Sequence, residues 1–140
     1  MMEFKKAIIL DDLDFKRNRI KEYLNHIYND IPIKELECSR DMMVEIRSNR
    51  DDISVFEDTI LFLDWNFPFY KGEMVNPNEG NHILFYISRY KLPLKVIIVS
   101  SDEVIYDKEE YPFVLGTIKD ESCVWQLDEY EKLLKGNSNE

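Results

Sequence analysis

Chemically able side chains stand where the chain's apolar runs stop. Ala7-Ile8-Ile9-Leu10 runs into Asp11-Asp12, and Thr59-Ile60-Leu61-Phe62-Leu63 into Asp64. Leu94-Lys95-Val96-Ile97-Ile98-Val99 runs into Ser100-Ser101, and Phe113-Val114-Leu115-Gly116-Thr117-Ile118 into Lys119. Singly, each is ordinary: aspartates cap helices and occupy turns, and a loop lysine is a solvated cation. Their order along the chain changes the reading. If the runs are parallel strands, three carboxylates, a hydroxyl and an ammonium converge on one rim. The carboxylates contribute −3 and Lys119 returns +1, leaving −2. Close packing of that charge either raises a carboxyl pKa or recruits a divalent cation. Mg2+ is the natural occupant, since it takes carboxylate and carbonyl oxygens, keeps several waters and is completed by a phosphate oxygen.

The elements that must position these groups follow from periodicity. The apolar runs lack helical spacing and are expected as strands covered on both faces. Between them, Ile20, Tyr23, Leu24, Ile27 and Tyr28 recur at helical spacing after Asp14, a candidate cap. A second helix is expected from Ser39 with Met42, Met43 and Ile46 as core filling, and a third after Gly80-Asn81 with Ile83, Leu84, Ile87 and Tyr90. A last helix carries Val124, Leu127, Tyr130, Leu133 and Leu134. Ile31 to Cys38 reads as a weaker strand, because Pro32 cannot donate a ladder bond. Strands alternating with helices over short connections predict a three-layer α/β/α sandwich around a parallel sheet. Ligands on that architecture sit beyond the carboxyl ends of the strands.

Composition narrows the classes of function. With 140 residues, 44% of them hydrophobic, one domain over residues 1–135 is expected, followed by a frayed polar tail at 136–140. A formal charge of −10 repels phosphate backbones, so direct nucleic-acid binding is not expected. No apolar run approaches the roughly 20 residues that span a bilayer, and Met1 to Lys6 lacks the apolar stretch of a signal peptide, so a cytoplasmic protein without membrane insertion is expected. Cys38 and Cys123 have no Cys-x-x-Cys spacing and no histidine neighbours, and are expected as buried thiols. His26 and His82 are read as surface residues, and Lys16, Arg17, Arg19 and Lys21 as a basic, solvated helix face with a possible share in kinase docking.

Together these residues make the chain resemble the receiver domains of bacterial two-component response regulators over nearly its whole length. Asp11-Asp12, Asp64, Ser100 and Lys119 stand in the family's order, and Asp64-Trp65-Asn66-Phe67-Pro68-Phe69-Tyr70-Lys71-Gly72 is similar to its D-x-x-M-P-x-x-x-G loop with Phe67 for Met. Arg17 also sits where many receivers carry an arginine. The resemblance implies a flavodoxin-like five-stranded sheet in the order 2-1-3-4-5. It implies Asp64 as phosphoryl acceptor, and Mg2+ held by Asp11, Asp12, Asp64 and the backbone carbonyl of Asn66. Lys119 and the Ser100 hydroxyl would contact the phosphoryl oxygens. The expected partners are a histidine kinase or phosphotransfer protein as donor and a downstream protein reached by protein-protein contact, in a stand-alone receiver whose own catalysis stops at gaining and losing its phosphoryl group.

Departures from the family pattern concern output. Asp120 replaces the proline that usually follows the lysine, and Gly116 replaces the switch aromatic three residues before it. Ser101 to Phe113 leaves room for only a short or irregular fourth helix, limited further by Pro112. Glu73 to Glu79 reads as an insertion beside the acceptor, placed to act as a lid or a partner contact. These features keep open a pseudo-receiver that binds partners without phosphorylation. A haloacid-dehalogenase phosphatase is disfavoured because Asn66 stands where its second aspartate is needed, and a nucleotide-binding fold because no strand is followed by G-x-G-x-x-G or a P-loop.

Overall fold

The computed structural model describes residues 3–121 and 123–136. In chain order the elements are β1 (Lys6–Leu10), α1 (Asp14–Ile27), β2 (Ile33–Leu36), α2 (Ser39–Ser48), a 3-10 turn (Ile53–Phe56), β3 (Thr59–Leu63), α3 (Glu79–Tyr90), β4 (Leu94–Ser100), β5 (Val114–Lys119) and α4 (Leu127–Leu134). All strand pairs are parallel, in the order β2-β1-β3-β4-β5.

Strand side chains alternate between faces, which builds two cores from one sheet. Ile8, Leu10, Leu61, Leu63, Val96 and Ile98 pack with Met42, Met43, Ile46, Ile83, Leu84 and Ile87 beneath α2 and α3. Ala7, Ile9, Ile60, Phe62, Ile97, Val99 and Ile118 pack with Ile20, Tyr23, Leu24, Tyr130 and Leu134 beneath α1 and α4. Every residue of β3 is buried, as a middle strand under helices on both faces requires. Each such aliphatic side chain contributes about 1.5–3 kcal/mol by leaving water, so the sheet's position is fixed well before any polar group is counted.

Between β4 and β5, where a short or irregular fourth helix is expected, the irregular alternative holds. Residues 101–113 make turns, with Asp107 Oδ1 accepting the amides of Glu109 and Glu110 at 3.0 and 3.1 Å. The aspartate bonds locally to nearby amides, which favours a turn over a helix, and Pro112 cannot continue a helical ladder. Elsewhere the differences are at element ends. The last helix starts at Leu127 and leaves Val124 and Trp125 exposed. Cys123 is exposed and Cys38 alone is buried, because only Cys38 lies against α2 at the sheet end. The tail at 137–140 lies outside the described residues, and no described helix is long and apolar enough to cross a membrane.

Candidate functional site

Backbone register brings the first two carboxylates side by side. The amide of Asp11 donates to Leu36 O and that of Asp64 to Leu10 O, both at 3.0 Å, so each aspartate prolongs its strand by one residue at the same edge. Asp12 joins them: Asp11, Asp12 and Asp64 each offer a carboxylate oxygen, all within 4.8 Å of one another. The start of α1 is organised by the same cluster, since Asp11 Oδ1 accepts the amide of Leu13 at 3.0 Å. Asp14, expected to cap, is instead the first helical residue.

The ammonium in this cup belongs to Lys16, not Lys119. Lys16 Nζ lies 3.1 Å from Asp11 Oδ2 and 3.4 Å from Asp64 Oδ1, and the residue is only 8% exposed. The contact with Asp11 is one of charge without hydrogen-bond geometry, so among the described residues no directed donor meets the buried Oδ2. Burial is the largest influence on both carboxyls. It raises Asp11, opposed by Lys16 and the Leu13 amide, and together with the charge of Asp11 it lifts Asp64 from 3.8 to about 7. Burial by itself would lower the pKa of Lys16, but attraction to Asp64 and Asp11 reverses the direction and holds it raised. Two buried carboxylates thus share one ammonium, and the excess negative charge suits a divalent cation.

Periodicity carried a signal for Lys16 that the charge-patch reading missed. Lys16 precedes Ile20 by four residues and Tyr23 by seven, which puts it on the stripe facing the sheet. The rest of the basic run is tied down as well. Arg17 donates to Asp11 O at 2.7 Å and to Glu35 at 2.9 Å, Lys21 reaches Glu35 at 2.8 Å, and Arg19 Nη2 meets both oxygens of Asp120 at 2.8 Å.

Ser100 and Lys119 are register partners at the ends of β4 and β5. Ser100 is buried, and its Oγ accepts the amide of Asp102 at 3.2 Å, which leaves the hydroxyl proton for another acceptor. Lys119 is exposed and makes no ion pair among the described residues. Asp120 accounts for the course of the chain beyond it: its amide donates to Ser100 O at 2.8 Å while Arg19 clamps its carboxylate to α1. Gln126 completes the anchor, donating to Lys119 O at 2.8 Å and receiving the Glu121 amide at 3.0 Å. At Gly116, an added Cβ would lie 2.9 Å from Leu133 Cδ2, so the missing aromatic is the space into which α4 packs.

The aromatic loop after Asp64 is built inward at its base. Trp65 is buried, gives its amide to Asp64 Oδ1 at 2.8 Å and its indole N–H to Asn78 Oδ1 at 2.9 Å. Gly80 exists for this ring, since a Cβ there would meet Trp65 Cε3 at 2.5 Å and Asp64 O at 2.8 Å. Asn66 spans to the next loop, its Nδ2 donating to Asp102 Oδ2 at 3.0 Å. Within the expected insertion, Asn76 pairs back on Phe67, its amide donating to Phe67 O at 3.1 Å. The buried Glu79 accepts Ser39 Oγ at 2.6 Å and faces His82 Nδ1 at 3.2 Å, giving His82 an acidic neighbour three residues before it on α3.

No family model and no curated protein matches the chain. Solved structures do. The chain is similar to the signal receiver domain of the putative response regulator NarL from Mycobacterium tuberculosis, with 16% identity, 96% of this chain and 99% of that chain covered, and a TM-score of 0.60. It is also similar to the isolated REC domain of RcsB from Salmonella enterica serovar Typhimurium in the presence of phosphomimetic BeF3−, with 19% identity, coverage of 95% and 90%, and a TM-score of 0.61. A chain of the CheX-CheY-BeF3-Mg2+ complex from Borrelia burgdorferi aligns at 13% identity, coverage of 92% and 85%, and a TM-score of 0.62. At these identities the likeness is one of fold: this chain has the receiver fold, flavodoxin-like with strand order 2-1-3-4-5.

Proposed function

We propose that the protein is a receiver domain that accepts a phosphoryl group on Asp64 in a divalent-cation-dependent reaction and signals through phosphorylation-dependent protein contacts. One observation carries the reading: three carboxylates from two strand ends converge at the carboxyl edge of the sheet, with Asp64 buried among them. The donor set fits Mg2+, being all oxygen, negative in excess and containing a buried Asp11 oxygen without a directed hydrogen bond. Asp11, Asp12, Asp64 and the backbone carbonyl of Asn66 would hold the ion, which supplies neutralisation of charge on the transferring phosphoryl oxygens.

The side chains divide the remaining work. The hydrogen bonds to Asp64 from the Trp65 amide and Lys16 both fall on Oδ1, leaving Oδ2 to attack. With a phosphohistidine donor, an O–P bond forms at Oδ2, the P–N bond breaks, and the imidazole nitrogen leaves with the electron pair and takes a proton. The Ser100 hydroxyl donates to a phosphoryl oxygen once that group is present, and Lys119 is the second proposed contact. Asp102 transmits the pull, because its amide is bonded to Ser100 Oγ and its carboxylate to Asn66. Displacing Ser100 therefore moves both loops flanking the site, which is the bistable element a switch needs. The chemistry is confined to this protein's own acyl phosphate. Donor and target are proteins, and the setting is the cytoplasm, where a histidine kinase or phosphotransfer protein presents its phosphohistidine.

The test is intact-mass spectrometry with acetyl phosphate. One added phosphoryl group is expected with Mg2+, none with EDTA, and none in Asp64→Asn. In a Trp125→Phe background, emission from Trp65 is expected to change with Mg2+ and again with beryllofluoride. An unmodified mass with Mg2+ and acetyl phosphate present, together with flat emission, would overturn the reading in favour of a binding module that acts without phosphorylation.

A further inference from the structure

We propose that Lys16 is the resident counter-ion of the acidic cup and that a divalent cation binds only by displacing its ammonium, so that Lys16 sets the cation concentration at which the site loads. This inference rests on the reading of the cup as a cation site. Its own support is the geometry of one side chain. The ammonium bridges the two buried carboxylates at 3.1 and 3.4 Å, and these are two of the three aspartates whose oxygens gather within 4.8 Å. A cation shared by Asp11 and Asp64 and this ammonium would place like charges in contact, away from bulk water, where their repulsion is least screened. One of them must leave.

The departure is feasible without moving the backbone. Lys16 reaches the cup on an unbranched, four-carbon stem from the first turns of α1, beside the exposed Leu13 and Phe15, so rotation about its own bonds carries the ammonium to solvent. Arg17 next to it is held by the Asp11 carbonyl and by Glu35, which keeps this helix end in place while Lys16 swings. The energetic consequence is a population effect. If the ammonium occupies the cup about nine-tenths of the time, the apparent affinity for a divalent ion falls about tenfold below that of the open cup. Lys16 is thus a positioning residue for the acceptor in the unloaded state and a competitor in the loaded one. A hydrophobic residue in its place would leave the two carboxylates without their ammonium counter-ion, held only by the Leu13 and Trp65 amides, and the cup permanently open.

The experiment measures cation binding directly, through the EPR signal of free Mn2+ and its displacement by Mg2+, in the full chain and in Lys16→Met and Lys16→Gln. Both substitutions are expected to lower the half-saturating cation concentration about tenfold. An unchanged or higher concentration in a folded variant overturns the proposal while leaving the cation site standing. If neither Mn2+ nor Mg2+ binds the unsubstituted chain or its variants, the cation site and the proposal fall together. A second arm needs no substitution and serves if neither variant gives a cooperative melt. Reductive methylation of the native protein, mapped by peptide mass, is expected to label Lys16 several-fold faster at saturating Mg2+, while the exposed Lys119 labels at one rate throughout. Labelling of Lys16 that ignores Mg2+ overturns the proposal.

Discussion

The two halves of the sheet's carboxyl edge are built by opposite rules. At the β1–β3 half, the polar groups lie against buried partners: Asp11, Asp64, Lys16 and Arg17 are each at least nine-tenths buried and share one network. At the β4–β5 half, residues 101–113 have traded a helix for turns, Ile105 stands 83% exposed, and Lys119 points to solvent. Under the proposed function, the division follows from what each half would have to do. Reacting atoms need fixed distances and low dielectric, which only a packed polar network provides. A surface that reports the reaction must be able to rearrange, and so is drawn from the weakly held end of the molecule.

If that contrast is right, truncation should cost most on the β1–β3 side. Phe62→Ala removes a ring buried in β3 and packed near Tyr130, at 5.9 Å between centroids. A loss of about 3–5 kcal/mol is expected in chemical denaturation. A cost below 1 kcal/mol would mean that this half is no more tightly packed than the edge.

The two glycines give the comparison its sharpest form, because each stands against one half. Gly80→Ala drives a Cβ into Trp65 Cε3 at 2.5 Å and the Asp64 carbonyl at 2.8 Å, and backbone cannot yield. About 1–3 kcal/mol of destabilisation is expected, with a shift in Trp65 emission. Gly116→Ala meets only the end of Leu133 at 2.9 Å, which can rotate away, and an alanine in a strand recovers about 0.5–1 kcal/mol of chain entropy. Its net effect is expected to be under about 1 kcal/mol. Equal losses at the two positions would erase the distinction.

A subtler difference is in pH response. The carboxyl of Asp64 is raised by burial and by Asp11 from 3.8 to about 7, so the folded protein holds a proton there that the unfolded chain has already released. Its contribution to stability is fully present below pH 4 and is lost as pH rises through about 7. Asp64→Asn, with no such proton to lose, is therefore expected to melt higher than the parent by a margin that grows from pH 5 to pH 8 in EDTA. A margin independent of pH would show that the carboxyl is not strained in the fold.

Much of this plan is legible in the sequence because strand ends and strand order are set by strong local signals. The apolar runs ending in Asp11, Asp64, Ser100 and Lys119 fall in β1, β3, β4 and β5, and the helical stripes of Met42 and Ile83 pack where their spacing implies. What escaped depends on which of two competing rules wins. Lys16 obeys the helical stripe rather than its charge, since its ammonium finds two carboxylates that a solvated-face reading does not supply. His82 finds Glu79 because Ser39 and Asn76 bury that carboxylate at the start of α3. The turn at 101–113 depends on Asp107 choosing local amides over a helix. For Lys16 and for the turn the deciding partner lies on another element or in a local bond that periodicity does not register, whereas Glu79 stands one helical turn before His82 and is within reach of a spacing argument.

The smallest expected effect tests the far end of the contrast. Ile105 is an aliphatic side chain left 83% exposed at the edge of a groove lined by Trp65, Asn81, Glu103, Tyr106 and Tyr111. Because it buries almost nothing in the isolated chain, Ile105→Ser is expected to change stability by no more than about 0.5 kcal/mol. If it destabilises by more than 1 kcal/mol in urea melts, the turn segment is packed as firmly as the β1–β3 half. A neutral result, set beside the loss at Phe62, would place the movable surface of the molecule at the irregular loop between β4 and β5, one hydrogen bond away from Ser100 through Asp102.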